Sequence, residues 1–155
     1  MGIHEDLSQI AVTTNSEAVA KGTALAWIAV VAADGKIGQR ELVLLNNFAK
    51  SNLGTKAFYS ELWLAGIFEE ALKIIKEGGL NTLYAALPAY FTQTQEGDKQ
   101  TLLYSLMLLS IFEDDFSSQE MEAVNQIVEI LDIPRKNVLY LGMMFAGRSK
   151  DSFLK

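Results

Sequence analysis

The chain has 155 residues, half of them hydrophobic and 21% charged, a composition that excludes disordered and fibrous proteins and fits one globular domain. Its 19 acidic and 13 basic side chains give a net charge of −6, which repels phosphate backbones and argues against a nucleic-acid partner. Because the chain contains no cysteine, disulfides, thiolate zinc sites and cysteine nucleophiles are excluded.

Two helices are predicted at the start of the chain. The first runs from about Ser16, a residue type that favours the N-cap position, to a stop at Asp34 and Gly35. The second begins near Gly38 and ends near Ser51.

A long third helix is predicted from Thr55, a candidate cap, to the glycine pair that begins at Gly78. Apolar residues recur along it at intervals of three or four, which indicates one buried stripe. The predicted stripe consists of Phe58, Leu62, Ala65, Phe68, Leu72 and Ile75.

The second half of the chain continues the helical pattern. A helix is expected over about 81–94, where Pro88 should kink or divide it because proline lacks an N–H donor and clashes with the preceding turn. Further helices are predicted over about 98–112 and 117–132, and Pro134 fits the first position of a last one.

Two of these segments, 24–33 and 102–112, are apolar on nearly every side, which is typical of helices at the centre of a bundle. We therefore predict an all-α fold, a single compact bundle of about seven helices. One domain is expected over 1–155, with its core at about 17–147. The apolar segment 24–33 is too short for a membrane span, which needs roughly 20 residues.

The start of the chain also bears on location. Residues 1–6 include two acids, whereas a signal peptide begins with basic residues followed by an apolar run. We expect a cytoplasmic protein with no direct membrane insertion.

A short acidic turn follows each of the two apolar helices. The eight residues that begin at Asp34 align without a gap on the eight that begin at Glu113, and each copy closes seven residues later with a glutamate, Glu41 or Glu120. The sequence thus predicts two related helix–acidic turn–helix units. The candidate ligands for a metal ion in these turns are Asp34, Glu41, Glu113, Asp114, Asp115 and Glu120.

The turns reproduce only half of an EF-hand calcium loop. The pattern Asp-Gly-x-Ile-x-x-x-Glu matches the second half of that loop. Its first and third positions would fall on Val30 and Ala32 in one copy and on Leu109 and Ile111 in the other, and none of these has a side-chain oxygen. A complete EF-hand loop is therefore excluded.

Two explanations of the acids remain open. Glu41 and Glu120 each stand three residues after Gly38 or Ser117, where a glutamate can cap a helix without metal. However, carboxylates near a helix C-terminus are unfavourable by a few tenths to about 1 kcal/mol, which calls for a compensating positive charge. Either the next helix N-terminus or a bound divalent cation (calcium, magnesium or manganese) would supply it.

The buried helix that ends in Ala-Ala-Asp-Gly-Lys-Ile, with Glu41 seven residues after Asp34, resembles the TerB-like (tellurite-resistance) family. Members of that family are all-helical domains with two such acidic units. The resemblance covers about 17–147.

The resemblance implies an acidic cluster that holds a divalent cation, and membership in stress-response complexes at or near the bacterial membrane. The matching positions are Asp34, Gly35, Glu41, Glu113 and Glu120. The second turn departs from the family pattern, since an acid rather than glycine follows Glu113.

Catalysis has few candidate residues in this sequence. His4 is the single histidine, so a Ser-His-Asp site would depend on it, and no glycine-rich phosphate loop occurs. We predict no enzyme and no catalytic residues. The leading hypothesis is a TerB-like adaptor that binds a divalent cation and works with other proteins in a membrane-associated complex. The alternative is a metal-free structural protein–protein interaction module.

Overall fold

The structure, a computed structural model, describes residues 16–35, 38–53, 56, 58–91, 96–112 and 116–133. Within these ranges every regular element is helical and no strand occurs, which confirms the all-α class. The helix predicted from Pro134 lies outside the described residues. The helices are α1 (Glu17–Ala32), α2 (Gln39–Leu53), α3 (Glu61–Gly78), α4 (Leu80–Ala86), a 3-10 helix (Leu87–Phe91), α5 (Glu96–Phe112) and α6 (Ser118–Ile130).

Helix α1 is the central element of the described fold. It begins where predicted, because the Ser16 hydroxyl accepts a hydrogen bond from the Val19 amide at 3.3 Å. All its residues from 22 to 32 are buried, and it contacts each of the other described helices. The prediction of a central apolar helix is therefore confirmed over 24–32, while Ala33 is half-buried.

Helix α5 is the second predicted central helix. Its residues from 102 to 107 are buried, as predicted, but Phe112 at its end is 45% exposed. No helix in the described part of the chain is both long and apolar enough to cross a membrane.

The beginning of α3 differs from the sequence prediction. Thr55 lies outside the described residues, but the helix begins only at Glu61, so the predicted start is wrong. The cap is Ser60, whose hydroxyl accepts a hydrogen bond from the Trp63 amide at 3.0 Å. Both Thr55 and Ser60 are suitable caps by residue type, and the sequence pattern did not distinguish them.

The buried face of α3 is also rotated relative to the predicted stripe. Leu62 was placed in that stripe, yet it is 85% exposed. Leu72 and Ile75 are only half-buried. The buried side chains of α3 are Leu64, Ile67, Phe68 and Ala71.

The substitution Leu62→Gln tests this rotated face. Because Leu62 is almost fully exposed, we expect the free energy of unfolding to change by less than about 0.5 kcal/mol. Urea unfolding followed by circular dichroism would measure the change. A loss well above 1 kcal/mol would mean that Leu62 is covered in solution, and would contradict the exposure described here.

The predicted helix over 81–94 is divided, as Pro88 led us to expect. Regular α4 ends at Ala86, and the 3-10 helix continues from Leu87. This short helix packs across α1, where the Lys21 ammonium lies 5.7 Å from the centre of the Tyr90 ring and 2.8 Å from a Glu70 carboxylate oxygen. The 3-10 helix, α1 and α3 are thus joined at one place.

Candidate functional site

The first acidic turn joins α1 to α2. The chain leaves α1 through Gly35, which has a φ of +84° and whose amide donates to the Ala32 carbonyl at 3.0 Å. A positive φ favours glycine, so the predicted helix stop is confirmed. Asp34 is half-buried beside this glycine.

Glu41 caps the start of α2. Its Oε1 atom accepts a hydrogen bond from the Gly38 amide at 2.8 Å, in an exposed position. This amide belongs to the residue just before the helix, where a donor needs a partner. The capping role considered for Glu41 is therefore present in the structure.

The second acidic turn joins α5 to α6. Its three consecutive acids, Glu113, Asp114 and Asp115, lie outside the described residues. From Ser117 onward the chain forms the predicted capping box. The Ser117 hydroxyl accepts from the Glu120 amide at 3.1 Å, and the Ser117 amide donates to Glu120 Oε1 at 2.9 Å.

The two capping glutamates differ in their surroundings. Glu41 is half-buried, whereas Glu120 is only 1% exposed. The second carboxylate oxygen of Glu120, Oε2, is buried, and no described group donates a hydrogen bond to it. Buried polar atoms of this kind are rare because desolvation without a partner costs about 1–3 kcal/mol.

The burial of Glu120 follows from its position on α6. Val124 and Ile127 stand four and seven residues after it and are buried, so all three side chains share one helix face. This spacing was readable in the sequence, and it is the signal that the capping pattern alone did not use. The unpaired oxygen itself depends on packing and was not predicted.

Buried contacts connect the helices that precede the two turns. The indole Nε1 of Trp27 on α1 donates to the Ser105 hydroxyl of α5 at 2.9 Å. The Trp27 ring also meets Phe48 of α2 edge-on, with ring centres 5.0 Å apart, and Phe48 lies 5.4 Å from Phe112. Trp27 therefore ties α1 to both α2 and α5.

Among the described residues, no three His, Asp or Glu side chains lie close enough together to hold a metal ion. Three of the candidate ligands, Asp34, Glu41 and Glu120, belong to that part of the chain. They do not form a three-residue cluster with other described acids. A cluster of three acidic ligands that includes Glu120 would have to draw on residues outside the described ranges, such as Glu113, Asp114 or Asp115.

Lys21 and Tyr84, two of the side chains whose pKa values are displaced, lie away from the turns. Burial raises the pKa of Tyr84 to about 12, and the negative charge of Glu122 acts in the same direction. The hydrogen bond that the Lys21 ammonium donates to the Glu70 carboxylate raises the pKa of Lys21 above its usual value. Both displacements move the group further from neutral pH, so neither group is tuned for acid–base catalysis.

Comparison of the chain with models of protein families, with curated proteins and with solved structures finds no match.

Proposed function

We propose that this protein is a non-catalytic binding module of the TerB-like type, in which the acidic turns hold a divalent cation. The observation that carries the proposal is the buried Oε2 atom of Glu120, which has no donor among the described residues. A carboxylate oxygen withdrawn from water needs a hydrogen-bond donor or a positive charge beside it, and an oxygen-binding cation such as calcium, magnesium or manganese meets that need.

The sequence around Glu120 offers further oxygen ligands. Glu113, Asp114 and Asp115 precede it by a few residues in the same turn. Hard divalent cations bind six or more oxygen atoms, including water and backbone carbonyls, so a few carboxylates suffice. The second turn is therefore the stronger candidate site.

The first turn has the same capping contact, which supports the interpretation of two related units. Glu41 and Glu120 accept the amide hydrogen of the residue three positions earlier, at 2.8 Å and 2.9 Å. In this proposal Asp34 and Glu41 form a second, weaker site. Glu41 is the less favourable ligand because its capping contact is exposed to water.

We further propose that the module works in the cytoplasm within a protein assembly. The TerB-like resemblance implies a stress-response complex at or near the bacterial membrane. The net charge of −6 supports a protein partner over nucleic acid.

Adding divalent cations to protein from which a chelator has removed metal should stabilise the folded state. A ligand that binds only the folded state adds about 2.7 kcal/mol at a concentration 100 times its Kd, so calcium or manganese should raise Tm. Asp114→Asn should reduce the shift, whereas Glu129→Gln on the exposed side of α6 serves as a matched control and should not. If millimolar calcium, magnesium and manganese leave both Tm and calorimetric heats unchanged, the cation site does not exist.

A metal-free interaction module is the second candidate, and the observed capping bonds of Glu41 and Glu120 favour it. In that case the two glutamates complete helix ends and the surface of the bundle recruits a partner. The two candidates make different predictions for Glu120.

Glu120→Gln keeps an oxygen that can accept from the Ser117 amide, whereas Glu120→Ala removes it. If Glu120 acts only as a cap, Glu120→Gln should leave the free energy of unfolding nearly unchanged. Glu120→Ala should then lower it by about 0.5–2 kcal/mol, with or without metal. A cation ligand predicts that both variants lose the metal-dependent part of the stability, because an amide is a poorer ligand for a hard cation. Unfolding free energies of both variants, in chelator and in calcium, separate the outcomes. Equal, metal-independent stability of the parent and both variants would contradict both roles.

A further inference from the structure

We draw no further inference here: the strongest candidate, the exposed Leu62 beside the half-buried aromatic side chains of Phe58 and Trp63 at the start of α3, is an apolar face, and nothing in the described part of the structure shows what covers it.

Discussion

Gly22→Ala should lower the free energy of unfolding by about 1–3 kcal/mol, the usual cost of overpacking a core. Helix α1 and the 3-10 helix approach closely at this glycine. A Cβ atom on residue 22 would stand 2.5 Å from the Cβ of Tyr90 and 2.9 Å from the ring of Phe91. Because the Tyr90 Cβ is fixed to the backbone, relief requires the two helices to separate. Chemical denaturation would measure the loss.

The matched control is Gly66→Ala on α3. Residue 66 is also helical, but it is exposed, and an added Cβ would meet nothing within 4 Å. Replacing an exposed helical glycine by alanine favours the helix by about 1 kcal/mol, so this variant should be more stable than the parent. Equal stability changes at residues 22 and 66 would show that the close approach of α1 and the 3-10 helix does not occur in solution.

Trp27→Ala should lower the free energy of unfolding by about 3–5 kcal/mol, the usual cost of removing a buried aromatic side chain. The side chain is fully buried, and its loss would open a cavity between α1, α2 and α5. Equilibrium unfolding in urea would give the difference, provided that the variant retains a folded baseline. The free energy of unfolding of Trp27→Phe should lie between those of the parent and the alanine variant, because phenylalanine keeps a ring that can still pack on Phe48.

The loss of stability on Trp27→Ala can be assigned to the buried ring, because Ser105 keeps a second hydrogen-bond partner and Trp63 provides a control. The Ser105 hydroxyl also donates to the Leu102 carbonyl at 2.7 Å, so loss of the indole N–H does not leave that hydroxyl without a partner. Trp63 is the only other tryptophan and is half-buried, so Trp63→Ala should cost less. If Trp27→Ala and Trp63→Ala lowered the free energy of unfolding equally, the central position of Trp27 would be contradicted.

The sequence predicted the central helices well because their signal has little ambiguity. A segment that is apolar on every side, such as 24–33, has no polar face to expose, so its burial does not depend on helix rotation. The glycine stop at Gly35 and the Ser117 capping box were predictable for a similar reason. Both features depend on the residue types at a helix end and on their spacing, which can be read from the sequence.

In helix α3 the sequence pattern did not determine which face of the helix is buried. Apolar residues are so frequent along it that two stripes, one through Leu62 and one through Leu64, satisfy the spacing of a helix. The choice between them is made by packing against α1, a contact between residues distant in sequence. The same holds for Glu120, whose cap is local but whose unpaired buried oxygen arises from the packing of α6.

The position of α1 in the chain has a consequence for synthesis. This helix leaves the ribosome before the helices that cover it, and α6, the last of the described helices that contact it, begins only at Ser118. Until α6 has been made, part of an almost wholly apolar helix remains exposed to water, and exposed surface of this kind promotes aggregation. Contacts between such distant segments also slow folding, because the intervening chain must first be ordered. We therefore expect this apolar surface to stay exposed during synthesis for longer than it would in an all-helical protein with only local contacts.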